Sequence, residues 1–143
     1  MYCTLADIQK QISKDTLIQL TDDNQTGETD TVIVDEAIIY SETLIDGYLR
    51  GRYILPLTLV PGVIKIIAVD LSVFRLYSRR FQTDTPDAIN EKYKNSIKML
   101  EQIQKGIIAL GIELKANISE SAIFRTNKDR SDRSFSKVRL NEY

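Results

Sequence analysis

Apolar residues recur every three or four positions through most of the first hundred residues, the spacing that builds one face of an α-helix. Thr4 with Asp7 three residues later reads as a helix start with an acid in the first turn, and Leu5, Ile8 and Ile12 would line one face of that first helix. A short apolar patch, Leu17, Ile18 and Leu20, precedes a polar loop from Thr21 to Thr29. Asp30 predicts the cap of a helix over about residues 31–50, with Val34, Ala37, Ile38, Ser41, Ile45, Tyr48 and Leu49 at helical spacing and Gly51 as its glycine stop. Arg52 to Leu57 reads as an extended connector, because Pro56 disfavours the helical region for Leu55.

Pro61 and Gly62 open a third helix, about 61–80. Val63, Ile64, Ile66, Ile67, Val69, Leu71, Val73, Phe74, Leu76 and Tyr77 cover most of its circumference, so it belongs at the centre of a domain or between subunits. Thr85-Pro86 starts a fourth, with Ile89, Tyr93, Ile97, Leu100 and Ile103 as its inner stripe and Gly106 at its end. Ile107 to Leu114 is a short apolar run suited to a single strand or hairpin arm. Beyond Leu114 the periodicity stops. The fold class predicted is mainly α: a four-helix domain over 1–114, a short β element, and an extended C-terminal arm over 115–143.

Length and charge refine this picture. A chain of 143 residues can bury a real core without disulfides or metal. The net charge of −1 carries no nucleic-acid signature, but it is unevenly spread. Residues 1–60 hold four Lys/Arg against ten Asp/Glu, residues 61–114 eight against six, and residues 115–143 seven against four. An acidic front and a basic tail suit head-to-tail attraction of identical subunits; scatter among solvated charges fits as well. The single cysteine, Cys3, allows no disulfide within the chain and suits a reducing compartment. The opening residues lack the basic and apolar regions of a signal peptide. The longest apolar stretch, Val60 to Leu76, is interrupted by Lys65, Asp70 and Arg75 and is too polar for a membrane span.

The chemistry open to the chain is narrow. It has no histidine, which removes Ser-His-Asp and Cys-His nucleophilic systems, and with one cysteine it lacks a zinc ligand set. No phosphate-binding glycine motif is present. Asp70 and Asp46 lie among apolar residues. Each could act as a general acid, but no second catalytic group accompanies them, and a salt bridge with Arg50, Arg52 or Arg75 is the expected role. The loop from Asp22 resembles the start of a calcium loop, with Asp22, Asn24, Thr26 and Gly27 at its first, third, fifth and sixth positions. Its twelfth position is Ile33, which cannot ligate, so a tight polar turn is expected. No catalytic residue, cofactor or metal is therefore predicted.

The tail holds the candidate binding residues. Arg125, Lys128, Arg130, Arg133, Lys137 and Arg139 form a loose basic series with Phe124 and Phe135 interleaved. That pattern suits phosphate pairing with base stacking, or an arm that folds onto an acidic protein surface. The interspersed Glu120, Asp129, Asp132 and Glu142 favour a protein partner. Phe124, Phe135, Leu140 and Tyr143 are the candidate anchors, with Arg125, Arg130 and Arg133 setting register.

Several segments carry a family resemblance. Met1 to Asp7, Ile18 to Asp23 with Gly27-Glu28, and Ile45 to Leu49 with Gly51-Arg52-Tyr53 and Leu55-Pro56-Leu57 resemble a Mu-like phage and prophage family of small virion proteins. Asp70 with Arg75, Leu76 and Tyr77 fits its central helix, and Tyr93, Ile97, Leu100 and Gly106 its last. The resemblance covers roughly residues 1–114 and carries no catalytic motif. That family is similar to the head-completion, or adaptor, proteins of long-tailed phages. The resemblance implies a non-enzymatic connector subunit at the neck of the virion, made in the host cytoplasm. It implies a ring, commonly of about twelve copies, that docks onto the portal protein, meets a tail terminator or other neck protein, and lets DNA pass without sequence-specific binding. Alternative readings are a tail terminator or other neck-ring protein, a DNA-binding packaging accessory, and a small calcium-regulated module.

Overall fold

The computed structural model describes residues 1–79 and 85–115. Among them the protein is mainly helical, in the order α1 (Leu5–Gln9), α2 (Lys14–Thr21), α3 (Thr31–Leu49), α4 (Gly62–Ser78) and α5 (Asp87–Gln104). The sequence reading anticipated four of these helices. The fifth is α2, where a two-turn apolar patch forms a helix because Ser13 accepts the Thr16 amide at 3.1 Å as its N-cap. Leu17 and Leu20 bury its inner side.

Local capping explains the other boundaries. Asp30 accepts the amides of Val32 and Ile33 and starts α3. Pro61 and Pro86 each sit one residue earlier than the first helical position, as extended N-caps of α4 and α5. Gly51 does not terminate α3 through a left-handed turn; the amides of Arg52 and Tyr53 instead return to the Leu49 carbonyl. Gly106 does adopt a left-handed φ of 78° after α5. Its amide reaches the Ile103 carbonyl and that of Ile107 the Gln102 carbonyl, the paired bonds of a Schellman stop.

α4 is the central element. It contributes eight buried residues, against six from α3 and three from α5. Ile64, Ile67, Leu71 and Leu76 are fully buried and pack with Ile38, Ile45 and Leu49 of α3 and Leu100 and Ile103 of α5. Each such side chain contributes about 1.5–3 kcal/mol of transfer free energy. The helix is not buried all round, since Lys65 and Ile66 face outward. Between α3 and α4 the hydroxyls of Ser41 and Ser72 lie 3.0 Å apart, each 2.8 Å from a carbonyl of its own helix, Ile38 and Ala68. Buried hydroxyls are thereby satisfied where the two helices meet.

Ile107 to Leu114 is not a regular strand. Gly106 and Gly111, both at positive φ, turn the backbone, and pairing is confined to one antiparallel bridge between Tyr53 and Leu114. Ile108, Leu110 and Ile112 are nevertheless half-buried against the core. No helix among the described residues is long and apolar enough to cross a membrane.

Candidate partner-binding surfaces

The first eleven residues stitch the helices together. Tyr2 is buried; its amide donates to Glu42 and its hydroxyl to Asp46, both on α3. Burial and then the Asp46 carboxylate push the Tyr2 phenol well above its usual range. Cys3 is buried with its Sγ 3.6 Å from Ser72 Oγ, and burial raises its thiol, which makes it an unreactive core group. Asp7 joins α1 to α4 through Lys65 at 3.0 Å and also meets Lys10 at 3.3 Å. Lys65, then Thr4, holds the Asp7 carboxyl well below the usual carboxylate range.

These contacts settle the carboxylates singled out in the sequence. Asp70 accepts from Gln11 Nε2 at 2.8 Å and lies 3.5 Å from Ser96 Oγ. Asp46 takes the Tyr2 hydroxyl. Neither forms the expected salt bridge with Arg50, Arg52 or Arg75. Arg75 instead stands 5.0 Å over the ring of Tyr40, and the Arg52 guanidinium lies against Gly106. The polar loop is the expected tight turn. Asp22 accepts the amides of Thr26 at 2.8 Å and Gly27 at 2.7 Å, and these bonds lower its pKa. Asp23 meets Arg79, whose guanidinium also donates to the Leu20 carbonyl at 2.8 Å. Among the described residues no three His, Cys, Asp or Glu side chains gather as metal ligands would.

The described residues line open grooves, of which two lie beside the contacts above. One, of about 480 Å³, runs between α1 and α4, lined by Asp7, Lys10, Gln11, Gly62, Lys65, Ile66 and Val69. The other, of about 500 Å³, lies at the foot of α3, lined by Asp46, Arg50, Ile54, Leu55, Pro56 and Lys115. Lys115 is held there by its amide on the Arg52 carbonyl and its Nζ on the Arg50 carbonyl, both at 2.9 Å. The predicted binding residues Phe124, Arg125, Arg130, Arg133, Phe135, Leu140 and Tyr143 lie outside the described residues.

The sequence reading passed over two other residues. Val32 and Ile39, 64% and 59% exposed, stand on the side of α3 opposite its buried stripe. Their signal was present: two β-branched residues seven apart and out of phase with the inner face.

A mainly helical fold with uncovered apolar side chains on α3 and α4 defines a small helical module with surface left to offer. The chain belongs to the family described as Bacteriophage Mu, Gp36, whose model matches residues 2–126. It is 28% identical over 119 residues to gene product J of Escherichia phage Mu, covering 82% of each chain. It is 34% identical over 83 residues to the Mu-like prophage FluMu protein gp36 of Haemophilus influenzae, covering 58% of this chain and 56% of that one.

Proposed function

We propose that the chain is a non-enzymatic structural subunit of the phage particle, a connector ring component at the neck that docks onto the portal protein. Membership of a Mu phage family supports the setting. The observation that carries the reading is the position of the uncovered apolar side chains. Val32 and Ile39 stand on the outside of α3, and Ile66, 61% exposed, on the outside of α4 beside the Asp7–Lys65 groove. A twofold dimer needs one self-complementary patch, whereas a ring needs two different patches that meet between neighbours. The chain has no histidine, and Asp7, Asp46 and Asp70 each bind a partner within the fold.

Immunogold labelling of intact particles tests this reading. Label at the junction of head and tail is expected. Label over the capsid shell or the tail tip, or particles without label, would contradict it.

A further inference from the structure

We propose that the outer face of α3 is a docking surface for residues 125–143 of a neighbouring copy of this chain. The inference rests on the ring reading above and names the contact between its subunits. Residues 31–49 contain four carboxylates, Asp35, Glu36, Glu42 and Asp46, and no lysine or arginine. Glu42 and Asp46 are taken by the N-terminus and Tyr2 of the same chain, which leaves exposed Asp35 and Glu36 beside exposed Val32 and Ile39 on that face. Residues 125–143 contain six Lys/Arg against three Asp/Glu and carry Phe135, Val138 and Leu140. Apolar contact on Val32 and Ile39, rimmed by opposite charges, is the composition of a protein interface.

The ring reading selects the neighbour over the chain's own helix, because reach alone admits both. The described chain leaves at Lys115, tied to Arg50 at the C-terminal end of α3. Residues 116–124 contain no Lys or Arg, so the first basic side chain is Arg125. Ten residues laid out extended span roughly 33 Å. The 19 residues of α3 are about 28 Å long by the helical rise. Ten residues therefore reach from Lys115 to any point along an adjacent α3, in the same chain or in a neighbouring copy. In a ring the matching charges fall on the next subunit, which passes its own arm onward in the head-to-tail manner that closes the ring.

Disulfide trapping in the full-length chain tests this. One chain carries Ile39→Cys and a second Phe135→Cys; Cys3 is buried and stays, and the parent chain serves as blank. Oxidation of the mixture is expected to give a disulfide-linked dimer of the two variants. Arg130→Glu with Arg133→Glu in the arm should lower its yield about tenfold, and Asp35→Lys with Glu36→Lys on the facing chain should restore it. A doubly substituted chain that closes only on itself, a mixture that gives no mixed dimer, or a yield indifferent to the charge changes would overturn the proposal. Particles labelled at the neck but showing no such disulfide would overturn this contact alone.

Discussion

The guanidinium of Arg52 lies against the Cα of Gly106, so the connector after α3 is packed on the turn that ends α5. A Cβ at residue 106 would run into that guanidinium, and the φ of 78° is itself unfavourable for any residue with a side chain. Gly106→Ala should therefore cost about 2 kcal/mol and lower the melting temperature by several degrees. Gly47→Ala is the contrast. Gly47 lies within α3 with open space around it, and alanine there should raise stability by about 0.5–1 kcal/mol. Urea unfolding of both variants checks the opposite signs.

Ile67 and Phe74, both on α4, should respond differently to truncation. Ile67 is fully buried, and Ile67→Ala should cost about 3 kcal/mol by leaving a cavity. Phe74 is half-buried and stacks on Tyr93 with ring centroids 4.0 Å apart. Phe74→Ala should cost about 1–2 kcal/mol, much of it the lost ring pair. A Phe74→Ala, Tyr93→Ala double-mutant cycle should show non-additive losses in denaturant melts.

Local signals made much of this fold legible in the sequence, and distance hid the rest. Asp30 and Gly106 act on backbone groups within a few residues, so their roles can be read from the adjacent chain alone. The α4 helix was recognisable as central because its apolar positions are so dense. The partner of Asp70, Gln11, is 59 residues away, and nothing in the sequence ranks a glutamine above an arginine such as Arg75 on the same helix. α2 escaped notice because two turns of apolar spacing resemble a loop. Val32 and Ile39 break the inner stripe of α3 and mark its outer face only once the helix is placed.

Asp7→Asn should make stability less sensitive to acid. The folded carboxyl titrates below its unfolded value of about 4, so its contribution is fully present above that pH and is lost as pH falls through the folded pKa. The wild type should melt higher than the variant at pH 7, and the gap should close as pH drops below about 4. Thermal melts over pH 2–8 (roughly the span of carboxylate titration) provide the check.

The Asp22 turn should take up no calcium at micromolar concentrations. The oxygens of Asp22 already accept the Thr26 and Gly27 amides, and the position that would close a calcium loop is Ile33. Isothermal titration should give no heat of binding. A micromolar site abolished by Asp22→Ala would contradict this account.

Electron microscopy of the full-length chain mixed with portal protein tests the connector role most directly. The account predicts closed rings seated on one end of the portal, and loss of that seating when residues 116–143 are deleted. The deletion keeps Lys115 and its bonds to Arg50 and Arg52, so thermal unfolding of the truncated chain should be unchanged. Isolated monomers that leave the portal bare, or a truncated chain that seats as well as the full one, would contradict the account.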